Sequence, residues 1–245
     1  MGIIFHIGRY TRFILRVFRK PENGPVFRRS LMNEMTTIGT NSVGIVTLLS
    51  LFMGAVMCLQ TAHQVSGWIP AYTIGFTVRQ TMILEFSPTL IPVILAGKIG
   101  SNIASQLGTM RVTEQIDALE IMGINSAGFL TLPKILAGII CLPLLVIMSM
   151  FLGLASGAGI AYVTGVSSMA DFQYGLQVDF VSYDVIYALI KTTIFSIIIT
   201  SVSAYHGYHT HGGALEVAKS STKAVVYSVV IIMMSNLILT KLLLT

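Results

Sequence analysis

Long apolar runs, broken at intervals by short polar stretches, dominate the chain. A helix needs about 20 mostly apolar residues to cross the hydrocarbon core of a bilayer. The first such run extends from about Thr40 to Ala62 and contains NSVGIVTLLSLFMGAVMCLQ. A mixed piece follows, Gln64 to Met82, with Trp68, Pro70, Tyr72 and a lone Arg79, and it reads as a short non-cytoplasmic or re-entrant helix. The second span, about Glu85 to Leu107, opens with EFSP. Pro88 and Pro92 are tolerated near a helix start, where the first amides lack helical partners. The polar stretch TMRVTEQIDALEIMGINS, residues 109 to 126, precedes a third apolar run, about Leu130 to Val163. A fourth span, about Ser182 to Tyr205, leads into a loop with His206, His209, His211 and two glycines, and a fifth runs from about Lys219 to Leu244. The pattern predicts an all-α integral membrane protein of five transmembrane helices. The count rises to six if the third run turns tightly at Gly153, Gly157 or Gly159.

Composition agrees with that pattern. Hydrophobic residues make up 54% and charged residues 10%, with mean hydropathy +0.80. A soluble domain carries about 25% charge, so water could not solvate a surface built from this chain. Disorder, collagen and coiled coil are excluded on the same grounds. Cys58 and Cys141 are the only cysteines and both sit in apolar runs, which excludes a disulfide scaffold.

Charge placement supplies an orientation. Seven of the 15 basic residues (Arg9, Arg12, Arg16, Arg19, Lys20, Arg28 and Arg29) lie before residue 30. On a membrane protein's first segment such a cluster fits the positive-inside rule better than a nucleic-acid patch. The apolar stretch Ile3 to Ile7 is too short for a signal peptide. Ile3, Ile4, Ile7, Ile14, Leu15 and Phe18 mix with arginines, as in an interfacial helix lying in the headgroup plane. Residues 1–38 are therefore expected to form a basic amphipathic elbow segment, and residues 39–245 the transmembrane domain. With the N-terminus cytoplasmic, Arg111, Lys134, Lys219 and Lys223 fall inside, and Arg79, Asp171 and Asp179 outside.

The stretch from Met110 to Gly123 concentrates what charge there is. Arg111, Glu114, Asp117 and Glu120 recur every three residues and share one side of a helix, while Val112, Ile116, Leu119 and Met122 gather on the other. Gly123 suits the helix stop. The spacing fits an ordinary solvated loop helix or a helix that docks on a soluble partner and passes force into the neighbouring spans.

Charges inside spans are the second signal. A Lys or Arg at the bilayer centre costs roughly 2.5–3.5 kcal/mol on insertion scales, so it faces protein or a wet cavity. Lys98 lies about midway along the second span, and Glu85 opens that span. Depth counting sets Lys191 level with Asn236, an intramembrane polar pair. Gly97, Ser101, Ser105 and Gly108, and Gly153 with Gly157, repeat small-residue spacings that suit close helix packing or a homodimer seam. Catalytic motifs are missing. AGKIGS resembles the tail of a phosphate-binding loop, but Pro92 stands where its first glycine belongs and Ile99 where its hydroxyl belongs. His206, His209 and His211 lack a convincing fourth ligand, so no metal is expected.

GTMRVTEQIDALEIMGIN, followed by LPKILAGIICLPLL, resembles the signature of MlaE/YrbE-type permeases, the membrane subunits of MCE-associated ABC lipid transporters. EFSPTLIPVILAGKIGSNIASQLG, DVIYALIKTTIFSIIITSVSAYHGY and GGALEVAKSSTKAVVYS extend the resemblance from about Pro25 onward. It implies a bacterial inner-membrane subunit of an ATP-driven phospholipid transporter, with a homodimer enclosing a lipid cavity. It also implies a cytoplasmic ABC ATPase that uses ATP and Mg, and an MCE-domain protein on the outer face. The chain itself would be no enzyme, bind no cofactor and engage no nucleic acid. The coupling contacts implied are Arg111, Glu114, Gln115, Asp117, Leu119 and Met122, and the lipid-cavity candidates are Glu85, Lys98 and Gln106. Gln106 and Asn236 stand where the family commonly has Glu and Asp, and Lys98 where arginine is common, which removes two carboxylate partners for Lys98 and Lys191. The alternatives from other classes are an ion- or proton-coupled secondary carrier working through Lys98, Lys191 and Glu85, and a structural assembly subunit.

Overall fold

The computed structural model describes residues 3–19, 24–65 and 70–244. Lys20 and Trp68 lie outside the described residues, as do the side chains of Ile3, Ile4 and Ile7. The described residues are almost wholly helical: α1 (Ile3–Val17), α2 (Gly24–Met35), α3 (Asn41–Gln64), α4 (Tyr72–Thr81), α5 (Ile91–Leu95), α6 (Ser101–Val112), α7 (Gln115–Ile121), α8 (Ser126–Thr164), α9 (Met169–Gln177), α10 (Ser182–Tyr208) and α11 (Ala214–Leu244). π-helical turns at Thr36–Thr40, Met82–Leu90 and Ala96–Gly100 join α2 to α3, α4 to α5 and α5 to α6.

Five continuous stretches are long and apolar enough to cross a membrane: Gly24–Gln64, Tyr72–Val112, Ser126–Thr164, Ser182–Tyr208 and Ala214–Leu243. The second absorbs most of the mixed piece that the sequence sets apart as a separate short helix, because α4 runs on without a break into Met82–Leu90. The third is one helix of 39 residues with no turn at its glycines, so five spans stand rather than six. The first begins at Gly24 rather than near Thr40. Arg28, Arg29 and Glu34 interrupt the apolar run but not the helix.

Two compact units divide the chain, the first comprising Met1–Asn41, Val93–Leu142 and Thr193–Thr245, the second Ser42–Pro92 and Pro143–Thr192. In the first unit, α1 rests on the end of α10. Phe13 is buried, with its ring 5.9 Å from Tyr205 and 5.2 Å from Tyr208, and the Tyr10 hydroxyl bonds Ser201 Oγ at 2.7 Å. Helices α6 and α11 also pair in this unit: Gly108 lies against Val217, and Ser221 Oγ donates to the Ser101 carbonyl at 3.1 Å.

In the second unit, Cys58, Ile74, Val78, Met82, Ala161 and Phe172 form the core. Helices α4 and α9 approach so closely that a Cβ on Gly75 would meet the Phe172 carbonyl, and one on Gly175 the Tyr72 carbonyl. Gly153 and Gly157 are likewise used inside the unit, against Met82 and Val78. Ser168 caps α9 by accepting from the Asp171 amide at 3.1 Å. Buried Arg79 closes its other end, donating to the carbonyls of Leu176 at 2.8 Å and Val178 at 2.7 Å. The last carbonyls of a helix lack internal partners, so this guanidinium serves packing.

Candidate functional site

Both charged candidates on the second span sit in π-helical turns, Glu85 in Met82–Leu90 and Lys98 in Ala96–Gly100. A π turn inserts an extra residue, rotates the helix beyond it and recurs at functional sites. Proline contributes to the first of them. Pro88 cannot supply the amide that would bond the Leu84 carbonyl in an α-helix, and Lys191 Nζ donates to that carbonyl instead, at 3.3 Å. The same ammonium reaches Glu85 Oε1 at 3.1 Å and the Tyr187 hydroxyl at 3.0 Å, with the Tyr187 ring 5.0 Å away. Lys191 is completely buried, whereas the Glu85 side chain keeps 46% of its surface exposed. Thr89 Oγ1 donates to the other Glu85 oxygen at 3.1 Å. The result is an ion pair buried at its cationic end and open at its anionic end.

Lys191 thus engages Glu85, which the sequence groups with Lys98 and Gln106 as a lipid-cavity candidate. The exposed Lys98 donates to the Asn41 carbonyl. Gln106, expected at the lipid cavity, accepts from Lys134 Nζ at 2.6 Å. Lys134 also pairs with Glu34 and is 2% exposed. The sequence treats Lys134 only as a marker of the inner side, because the apolar run starts just ahead of it. In fact α8 begins at Ser126, which places the lysine two turns inside the helix.

Between α6 and α8 the polar stretch forms a short helix of its own. The single helix predicted from Met110 to Gly123 breaks after Val112, where Glu114 takes a left-handed backbone (φ 60°) before α7 starts. At the other end Gly123 (φ 79°) supports a closing pair of hydrogen bonds, Ile124 N to Leu119 O and Gly123 N to Glu120 O, both 3.0 Å. Arg111 and Asp117 still meet across the break. Glu114 and Gln115 are exposed and Leu119 is half-buried. Of the apolar residues, Ile116 is fully buried, but Met122 is 65% exposed and its neighbour Ile121 87%. The break turns part of the predicted inner stripe outward.

Glu120, given no site role by the sequence, keeps 34% of its side chain exposed yet is tied to three other helices. Its Oε1 accepts from Arg16 Nη2 at 3.0 Å, Ser126 Oγ at 2.9 Å and Tyr208 Oη at 2.8 Å. Burial raises its pKa, but the hydrogen bonds from Tyr208 and Ser126 and the charges of Arg16 and Arg111 outweigh that and hold the carboxyl below its usual value. The regular spacing of charges was a signal for this position, though only the fold shows that Glu120 gathers donors from three other helices.

The expected histidine loop is partly helix. His206 lies in α10 and stacks on Tyr227, 5.2 Å away. Among the described residues no group of three His, Cys, Asp or Glu side chains is placed to hold a metal ion.

A family model described as Permease MlaE matches residues 31–242, nearly the whole of this architecture. The chain belongs to the MlaE permease family. It is 33% identical to a probable ABC transporter permease protein of Rickettsia bellii over 245 residues, covering 96% of this chain and 91% of the relative. It is 33% identical to a probable ABC transporter permease protein of Synechocystis, covering 91% and 85% of the two chains. The chloroplastic protein TRIGALACTOSYLDIACYLGLYCEROL 1 of Arabidopsis thaliana is 29% identical over 92% of this chain and 63% of that protein. With its five apolar helices, this MlaE-family chain is a multi-pass membrane protein and a transport subunit.

Proposed function

We propose that the chain is the transmembrane permease subunit of an ATP-driven lipid transporter, with its N-terminus in the cytoplasm of a bacterial cell and its spans in the inner membrane. The outward face of α7 carries this reading. In a chain with few charges, a seven-residue helix presents bare Ile121 and Met122 beside exposed Glu114 and Gln115. Apolar side chains rimmed by polar ones suit a soluble partner's groove. The relatives named as ABC transporter permeases support an ABC ATPase as the partner, which would use ATP and Mg. Contacts would run through Arg111, Glu114, Gln115, Asp117, Leu119 and Met122.

Two copies of the permease would enclose the lipid path, and an MCE-domain protein on the outer face would carry lipid onward. The cargo is a phospholipid or related amphiphile. Its acyl chains match the apolar helix faces, and its headgroup meets the half-open Glu85–Lys191 pair. Copurification with the ATPase tests this. Replacing Glu114 and Asp117 with alanine should weaken association and slow ATP turnover by about tenfold, and unchanged association and turnover would refute the docking role. Transport by the purified chain alone, under an ion gradient and without ATPase, would instead establish a secondary carrier.

A further inference from the structure

We propose that Glu120 is a positioning residue that passes movement of α7 to α1, α8 and α10, and does not itself contact the ATPase. The proposal rests on the reading of α7 as the docking helix. Its three donors come from three other helices: Arg16 from the last turn of α1, Ser126 from the first residue of α8, and Tyr208 from the last residue of α10. The Ser126 and Tyr208 hydroxyl oxygens lie 2.8 Å apart, and both residues are buried. Asn125 Nδ2 donates to the Arg16 carbonyl at 2.8 Å, so α1 is held by backbone as well as by side chain. Four helices converge on one carboxylate oxygen.

The geometry leaves α7 little freedom. Hydrogen bonds weaken steeply once stretched beyond about 3.5 Å or bent, and those to a charged acceptor are roughly twice as strong as neutral ones. A shift of α7 by an ångström or two either carries its neighbours along or opens the cluster and strands two buried hydroxyls. The other acids of the stretch lack this arrangement. Glu114 is exposed, and Asp117 pairs with Arg111 only one helix back.

The test uses the permease assembled with its ATPase in lipid vesicles, reading three quantities: association, ATP hydrolysis, and lipid moved per ATP. Glu120→Gln keeps an oxygen for Ser126 and Tyr208 but removes the charge that holds Arg16. Association and hydrolysis should stay within about twofold, while lipid moved per ATP falls by about tenfold. Arg16→Gln, at an exposed position that tolerates change, should reproduce that loss, and the double variant should be no worse than either single one. Equal losses of association, hydrolysis and transfer would make Glu120 a docking or folding residue and overturn the proposal. Unchanged transfer per ATP in both single variants would overturn it as well. If the unsubstituted permease fails to bind ATPase, the docking reading falls and takes the proposal with it. If it binds and only the variants behave normally, the proposal alone falls.

Discussion

Two buried lysines lie inside apolar helices of this permease, Lys134 in α8 and Lys191 in α10, and their carboxylate partners differ in exposure. Lys134 is 3% exposed through its side chain and its partner Glu34 15%; Lys191 is 0% exposed and its partner Glu85 46%. The first pair is closed on both sides, with Gln106 completing it. The second is closed only around the cation, where Tyr187 and the Leu84 carbonyl supply the remaining contacts. A charge in a membrane segment is held at a cost and has either a structural or a transport role. The open carboxylate fits the headgroup contact proposed for the Lys191 pair, and the closed one fits a structural role for the Lys134 pair.

The strongest way to break this distinction is to remove Glu34. Deleting one member of a buried ion pair leaves an uncompensated charge and costs about 3–5 kcal/mol. Glu34→Ala should therefore lower the thermal midpoint of the detergent-solubilised protein more than a substitution at Glu85, Tyr187 or Gln106. Lys134→Met combined with Glu34→Gln should recover most of that loss, since an apolar side chain replaces a pair that only holds helices together. A Glu34→Ala protein as stable as the parent would remove the structural role.

Glu85→Gln should behave differently. The carboxylate is half exposed, but its removal leaves buried Lys191 without a counter-charge, so the midpoint should still fall, by less than for Glu34→Ala because the amide oxygen, Tyr187 and the Leu84 carbonyl remain as acceptors. On the proposed headgroup contact, lipid transfer by the assembled transporter should fall by about tenfold. If transfer persists while the fold collapses, the two pairs have exchanged roles.

The five spans were legible because runs of about 20 apolar residues have few other uses. The polar partners were not. The π-helical turn at Met82–Leu90, which contains Pro88, sets the local register that presents Glu85 to Lys191, and nothing in the hydropathy pattern marks it. Lys134 was hidden for another reason. Sequence hydropathy dates the third span from Leu130, whereas the helix starts at Ser126, so a charge well inside it looks like part of the preceding loop. Glu34 was masked by the basic cluster around it. The stretch from Met110 to Gly123 was half legible: its charges and Gly123 were visible, but the left-handed break at Glu114 and the exposure of Met122 were not.

A finer test of the open pair is Tyr187→Phe. The phenol donates no charge but gives Lys191 one acceptor at 3.0 Å inside a fully buried setting. Its loss should cost about 1 kcal/mol of stability. The same single-acceptor loss at the closed pair, Gln106→Leu, should cost no more, because Glu34 still compensates the charge. A much larger effect at Gln106 would mean that the amide, rather than the carboxylate, keeps the closed pair intact.

The smallest effect comes from a polar group outside the spans, which serves as control for both pairs. His209 packs among Phe13, Tyr205 and Tyr208, at ring distances of 5.5, 4.6 and 5.3 Å. Burial pushes its pKa down to about 4, against the opposing hydrogen bond with the Tyr205 carbonyl, and the positive charges of Arg9, His211 and Arg111 add to the depression. The unfolded chain therefore binds a proton at this residue as pH falls below about 6.5, while the folded chain stays neutral until about 4. Stability contributed by the neutral ring is complete above the unfolded value and is lost across that window on acidification. Solvent screening of a half-buried ring keeps the loss to about 1 kcal/mol or less. His209→Gln should flatten the thermal midpoint between pH 7 and 4 without changing either lysine pair's response to substitution. An unchanged acid slope in that variant would rule out His209 as the titrating group.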